Sequence, residues 1–390
     1  MGIRASFCFR DGIFLKSSLQ LFMLDKALTA KYYLITIGGM PDTLTKLAYQ
    51  TFQQGKSYFG LTHKTVSTQL MKLVNPPQEV KTQELNASTL MLLQKRMDAL
   101  LDQDWQDAEA GVYPKEILFD NSWADFFRFY PLVCLDVPSI WERFNNRVYH
   151  KFDTRIDTSD YPKYYLQNFH YQKDGYLSEM SANLYDLQVE ILFNGTADAM
   201  RRRILPPLKS GLAQMAAGQK GKILDIACGT GRTLSMIRQM LPKASLFGID
   251  LSPTYLRKAN DLLTEQPGVV PQLVQANAEE MPFVDNYFEA TTSVFLFHEL
   301  PAQARQNVIN EAYRVTKPGG TFVICDSIQQ EDSPELKVAM KNFPAMFHEP
   351  YYRHYITDNL DARLTEAGFE HVRHEVHFMS KYWMCRKPEQ

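Results

Sequence analysis

One stretch decides the fold of this 390-residue chain: Ile223-Leu224-Asp225-Ile226-Ala227-Cys228-Gly229-Thr230-Gly231-Arg232. An apolar run, a glycine-containing turn and a helical pattern from Arg232 predict a strand, a tight loop and a helix. The loop is not a P-loop, because Ile226 replaces the first glycine and Arg232 replaces the lysine. It is not a complete dinucleotide fingerprint either, because Leu234 replaces the third glycine.

The sequence after this stretch alternates between strand and helix patterns. Strands are predicted at 222–227, 245–249, 272–275, 290–296 and 321–325, with two adjacent strands at 369–376 and 382–386 closing the chain. Helix patterns separate the first five strands, so we expect an α/β fold with a parallel sheet and right-handed crossovers.

Two carboxylates lie at the carboxyl ends of the first two predicted strands. Asp225 stands where it would repel a pyrophosphate, so the ligand should lack phosphate and carry positive charge. S-adenosylmethionine has an ammonium and a sulfonium group, and Asp225 can bind the methionine end directly or through water. Asp250 can accept hydrogen bonds from two ribose hydroxyls. The alternative is that each acid only caps a helix.

Residues 222–326 resemble a class I S-adenosylmethionine-dependent methyltransferase, in the type 11 group of ubiquinone and menaquinone biosynthesis. The resemblance also rests on Asn277-Ala278-Glu279-Glu280-Met281-Pro282-Phe283, Phe288-Glu289-Ala290 and the turn Pro318-Gly319-Gly320. It implies a Rossmann-like seven-stranded methyltransferase domain that uses S-adenosyl-L-methionine. Asn277 departs from the family's aspartate, although its amide oxygen can still accept from the adenine amino group. The cofactor-binding residues expected are Asp225, Ala227, Gly229, Thr230, Gly231, Asp250, Leu251, Asn277, Ala278 and Glu279.

The methyl acceptor is expected outside the carboxyl ends of the strands. There, His298 is the candidate catalytic base, and Phe295 and Glu299 are candidate substrate contacts. The alternative is that His298 only hydrogen-bonds the loop or the cofactor, since positioning alone can drive methyl transfer. The aromatic insertion 340–355 suggests a lid over an apolar or aromatic acceptor, or simple packing on the helical half. Its candidate substrate contacts are Tyr351, Tyr352 and His354.

The N-terminal half predicts helices rather than strands. We expect an N-terminal extension at 1–39 that is disordered or absent from the functional chain. An all-α aromatic-rich domain is expected at 40–217 and the methyltransferase domain at 218–390. Prolines within 119–176 predict short helices and turns there. The triplet Arg201-Arg202-Arg203 should form a solvated face, because consecutive helical residues point about 100° apart.

Composition narrows the function class further. The chain has 42 Lys and Arg against 44 Asp and Glu, a net charge of −2, so no nucleic-acid partner is expected. Five scattered cysteines predict a reducing, cytoplasmic location, and no apolar run is long enough to span a membrane. No metal is expected, since His371, His374 and His377 alternate faces on a strand.

The prediction is an enzyme with a small-molecule acceptor; a non-methylating cofactor-binding protein and a nucleic-acid methyltransferase are the alternatives. The acceptor, its methylated atom and the oligomeric state stay open.

Overall fold

The computed structural model describes residues 42–74, 82–120, 123–216 and 220–389. The predicted extension at 1–39 and the predicted boundary at 217/218 lie outside these residues. The N-terminal half contains helices α1 (Asp42–Val74), α2 (Ala87–Glu109), α3 (Trp123–Asn145), α4 (Glu179–Leu192), α5 (Ala197–Arg202) and α6 (Leu205–Ala213). No helix in the described part of the chain combines the length and apolar character needed to cross a bilayer.

A seven-stranded sheet forms the C-terminal half. Its strands are β1 (Lys222–Ile226), β2 (Ser245–Asp250), β3 (Gln272–Gln275), β4 (Phe288–Val294), β5 (Thr316–Ser327), β6 (Glu370–His377) and β7 (Ser380–Arg386). The order is β3-β2-β1-β4-β5-β7-β6, parallel except that β7 runs antiparallel to β5 and β6. The helices between strands are α7 (Arg232–Met240), α8 (Pro253–Thr264), α9 (Ala302–Val315), α10 (Lys337–Met346), α11 (Tyr352–Tyr355) and α12 (Leu360–Glu366). This topology confirms the predicted Rossmann-like α/β fold with a helical N-terminal region.

The helical half shares a hydrophobic core with one face of the sheet. Tyr49 on α1 and Trp105 on α2 belong to the same buried cluster as Ile223 on β1 and Val323 on β5. Each such side chain contributes about 1.5 to 3 kcal/mol through removal of apolar surface from water. Packing against the sheet therefore fixes where the helical half stands relative to the carboxyl ends of the strands.

The predicted short helices after residue 119 were wrong for one long segment. Helix α3 spans Trp123–Asn145 with Pro131 and Pro138 inside it. An internal proline removes one backbone hydrogen bond and costs about 3 kcal/mol. Phe129 and Val133 on α3 are buried against α4, and this packing holds the helix together despite its prolines.

The predicted solvated arginine face was also wrong. Arg201, Arg202 and Arg203 expose only 4%, 2% and 8% of their surface. They do point in different directions, and each finds its own carboxylate: the pairs are Arg201–Asp198, Arg202–Asp104 and Arg203–Asp107. Asp104 and Asp107 lie on α2, far from the triplet in sequence, so two of these ion pairs connect the triplet to α2. Because the three guanidinium groups are buried and paired, they offer no surface for binding a phosphate.

Candidate functional site

The loop between β1 and α7 is shaped by left-handed backbone. Gly229 has φ of 54° and Gly231 has φ of 81°. A Cβ on Gly231 would also come within 3.0 Å of the Ala259 side chain on α8, so only glycine fits there. Ala227 adopts φ of 56° although it is not glycine. Such conformations persist where the surrounding structure enforces them, and they cluster at functional sites.

A cavity lies at this loop and will be called the cofactor cavity. The predicted site residues that line it are Ala227, Gly229, Asp250, Leu251, Asn277, Ala278, Phe295 and Glu299. The helical half adds an aromatic wall that consists of Tyr164, Tyr165, Phe169, Tyr176 and Tyr185. The sequence predicted an aromatic-rich helical domain, but it could not specify which rings line the cavity.

The other four predicted cofactor residues lie beside the cavity and do not line it: Asp225, Thr230, Gly231 and Glu279. Glu279 is already engaged, since its carboxylate accepts from Tyr164 Oη at 2.5 Å and from Asn307 Nδ2 at 2.8 Å. Glu279 thus connects the aromatic wall, through Tyr164, to helix α9, through Asn307. Asn277 Oδ1 accepts from the Glu279 backbone N–H at 3.0 Å and keeps a second lone pair.

Asp225 is a buried carboxylate that lacks a partner. It is 1% exposed, and neither of its side-chain oxygens has a hydrogen-bond partner among the described residues. Burial raises the pKa of Asp225 well above its usual range, Asp250 raises it further, and Arg201 opposes the shift. An unpaired buried carboxylate is costly and therefore suits a ligand that brings a cation.

Asp250 ends β2 and faces the cavity with its carboxylate held in place. Its Oδ2 accepts from the Gly229 backbone N–H at 2.9 Å, and its Oδ1 accepts from that of Ser252 at 2.8 Å. Burial raises the pKa of Asp250 to about 6, against these two hydrogen bonds, which lower it. Each oxygen retains a lone pair for a ligand hydroxyl.

A second cavity adjoins the first and will be called the acceptor cavity. The two cavities share Tyr185, Phe295 and Glu299. The remaining lining of the acceptor cavity is mostly apolar and consists of Val189, Leu192, Phe193, Ala339, Phe343 and Met379, with His170, His298, Ser327 and Tyr352. Phe295, in the shared wall, is another non-glycine residue with left-handed φ, at 60°.

The predicted substrate contacts divide between those that line a cavity and those that do not. Phe295, Glu299 and Tyr352 line the acceptor cavity. Tyr351 and His354 line neither cavity. Arg305 contacts both, with Nη1 2.8 Å from His354 Nδ1 and Nη2 donating to the Tyr351 carbonyl at 3.2 Å.

His298 is held by a carboxylate that the sequence reasoning missed. Its Nδ1 is 2.7 Å from Asp326 Oδ1, and its Nε2 is 3.9 Å from Glu299 Oε1. Burial lowers the pKa of His298, but Asp326, Glu349 and Glu299 outweigh it and raise the pKa to about 10. The imidazole is then protonated at neutral pH, a state that donates hydrogen bonds but accepts no proton.

His170 and Glu349 join Glu299 at the same wall. His170 Nε2 contacts Glu349, and Tyr176 Oη donates to Glu299. One ligand atom from each of His170, Glu299 and Glu349 lies within 4.8 Å of the other two. Burial and Glu349 raise the pKa of Glu299 to about 7, against His298 and His170. Sequence reasoning missed this cluster because its members come from three distant segments.

Comparisons with known proteins identify similar methyltransferases. Residues 223–320 match the family model described as "Methyltransferase domain". The demethylmenaquinone methyltransferase of Listeria monocytogenes serotype 4a is 30% identical over 178 residues, which are 41% of this chain and 74% of that relative. The ubiquinone/menaquinone biosynthesis C-methyltransferase of Desulfotalea psychrophila is 32% identical over 146 residues, 37% of this chain and 54% of its own length.

A solved structure also aligns with part of this chain. A putative S-adenosyl-L-methionine-dependent methyltransferase from Methanococcus maripaludis aligns with a TM-score of 0.40 and 16% identity, over 55% of this chain and 95% of its own. This similarity is too low to indicate what the chain does. The relationship rests on the matched domain and on the 30% identical relative, which is covered over most of its length. S-adenosylmethionine is the cofactor, and this chain belongs to the class I S-adenosylmethionine-dependent methyltransferase family.

Proposed function

We propose that this enzyme methylates a small apolar or aromatic molecule bound in the acceptor cavity. One observation carries the proposal: the cofactor cavity and the acceptor cavity share a wall made of Tyr185, Phe295 and Glu299. Because the two cavities share these lining residues, ligands bound in them would lie close together, and proximity is the main requirement for transfer of an already activated methyl group.

The residues at the first cavity suit S-adenosylmethionine. Asp225 has two unpartnered oxygens for the ammonium group, reached directly or through water. Asp250 has the remaining lone pairs for ribose hydroxyls, and Asn277 has one for the adenine amino group. Gly229 lets the backbone approach the ligand without a Cβ in the way. When bound, the cofactor supplies a sulfonium-activated methyl group.

The acceptor cavity is suited to an apolar ring. Most of its lining is aliphatic or aromatic, and an apolar lining with a few polar groups is typical of ligand sites. The helical half supplies Val189, Leu192 and Phe193, and the insertion supplies Phe343 and Tyr352. By their names, relatives of this chain methylate demethylmenaquinone. A quinone or phenol-type ring is therefore the acceptor class that we favour.

His298 remains a candidate for contact with the acceptor. It lines the cavity, and Asp326 fixes the orientation of its ring. The raised pKa favours a role as hydrogen-bond donor over the predicted role as general base. The role of His298 in the reaction stays a prediction.

Cavity filling tests the proposal. Leu192→Trp places a large ring in the acceptor cavity, away from the cofactor cavity. Cell extract incubated with the enzyme and methyl-labelled S-adenosylmethionine should yield a labelled small molecule. The variant should reduce this labelling at least about tenfold, while calorimetry with S-adenosylhomocysteine gives unchanged affinity.

A matched control is Leu135→Trp, because Leu135 is 74% exposed and lines neither the cofactor cavity nor the acceptor cavity. That variant should label as well as the parent. Equal labelling by Leu192→Trp would show that the acceptor binds elsewhere.

A further inference from the structure

Three ionisable side chains converge where the acceptor cavity meets the shared wall. His170 comes from the turn Phe169–Tyr171, Glu299 from the turn after β4, and Glu349 from the segment between α10 and α11. Their ligand atoms lie within 4.8 Å of one another. His170 has φ of 52°, a left-handed conformation that is uncommon for non-glycine residues.

The carboxylates in this region outnumber the histidines that pair with them. Glu299, Glu349 and Asp326 form ion pairs with His170 and His298, and in the described part of the chain none of the three carboxylates pairs with a lysine or an arginine. The Glu349 side chain is fully buried, and its Oε2 has no hydrogen-bond partner among the described residues. A buried carboxylate oxygen without a partner is suited to a positively charged ligand.

We propose that His170, Glu299 and Glu349 bind a divalent transition-metal cation such as Mn²⁺ or Zn²⁺. One imidazole nitrogen and two carboxylates form a mixed donor set, whereas Mg²⁺ and Ca²⁺ prefer oxygen ligands alone. In the metal-free protein the imidazole of His170 and the carboxylate of Glu349 bond to each other, and the cation would replace that bond. Tyr176 donates to Glu299 and would orient this carboxylate from outside the coordination shell.

The site bears on which acceptor the enzyme takes, an extension that rests on the proposed function. His170 and Glu299 both line the acceptor cavity, so a cation bound to them borders the acceptor. An acceptor with an ionisable oxygen, such as a phenol or an enol, could complete the coordination shell. The cation would then hold that oxygen at the wall shared with the cofactor cavity.

Metal titration of the untagged full chain tests the site. After dialysis against a chelator, MnCl₂ and ZnCl₂ are titrated separately by calorimetry, and Mn²⁺ binding is also followed by electron paramagnetic resonance. We expect one saturable site, with affinity at least about tenfold lower in Glu349→Gln and in His170→Asn. The control is His374→Asn, because His374 also has two nearby carboxylates, Asp361 and Asp332, but is exposed on β6. It should bind like the parent.

Two results would overturn the metal site: no saturable binding of either ion, or equal affinity in the parent and in both ligand variants. Calorimetry with S-adenosylhomocysteine shows whether each variant is folded, because Glu349 and His170 do not line the cofactor cavity. The same measurement separates the two proposals. A parent chain that binds the metal but not S-adenosylhomocysteine contradicts the proposed function and leaves the metal site standing.

Discussion

Asp225→Asn should change cofactor binding and protein stability in opposite directions. In the free protein the carboxylate is 1% exposed, neither oxygen has a described partner, and Asp250 repels its charge. The side chain thus destabilises the free protein. If it binds the cofactor ammonium, the same charge stabilises the complex.

The expected changes in affinity and stability follow from the two Asp225 oxygens, which have no hydrogen-bond partner among the described residues. Loss of a charge-assisted hydrogen bond costs about 2 to 3 kcal/mol, so affinity for S-adenosylhomocysteine should fall about 30- to 150-fold. Removal of the buried charge should raise the free energy of unfolding of the free protein at pH 7 by about 1 to 3 kcal/mol. Because the pKa of Asp225 is raised in the folded state, this gain should be absent near pH 4 and grow as the pH rises.

Calorimetry and urea unfolding of parent and variant measure both quantities. Asp102→Asn on the exposed face of α2 is the control and should change neither by more than about 0.5 kcal/mol. Unchanged affinity for S-adenosylhomocysteine in a folded Asp225→Asn protein would remove Asp225 from the cofactor site. A loss of stability would show that its carboxylate has a partner in the free protein.

Two further predictions concern pH and the helical half. Since Asp250 has a pKa of about 6 in the free protein and accepts hydrogen bonds best when ionised, affinity for S-adenosylhomocysteine should fall about tenfold between pH 7 and pH 5. Calorimetry between pH 7 and pH 5 measures this affinity. In Asp250→Asn, the part of the pH dependence that comes from titration of Asp250 should disappear. Arg202→Leu should lower the free energy of unfolding by about 3 to 5 kcal/mol, because it leaves the buried Asp104 unpaired. Arg257→Leu, which breaks an exposed pair, should change it by less than about 1 kcal/mol in the same urea titration, and equal effects would refute this reasoning.

Local sequence patterns predicted the elements whose determinants are close together in the chain. Asp225, Gly229 and Asp250 fall at strand ends, and strand ends can be located from apolar runs and glycine turns. Parallel strands then bring those ends to one edge of the sheet. The cofactor cavity could be anticipated for this reason, although Asp225 lies beside its lining.

Features built from distant segments were not accessible in the same way. Nothing in the sequence around His170 indicates that Glu349 will contact it, because that pairing depends on how the insertion folds over the sheet. The burial of Arg202 likewise depends on Asp104, which lies on another helix. A signal did exist there: Asp104 interrupts the apolar stripe of α2, and a carboxylate in a buried stripe needs a cationic partner.

The order of the chain has a consequence for its synthesis. Residues 164–192, which supply the aromatic wall and part of the acceptor cavity, precede every strand against which they pack. Met379, which completes the acceptor cavity, is near the opposite end. At about 5 to 20 residues per second, a ribosome needs about 10 to 40 s to proceed from residue 192 to Met379. During that interval the aromatic side chains lack their native partners, so a nascent chain of this protein should depend on chaperones that shield apolar segments until the sheet is complete.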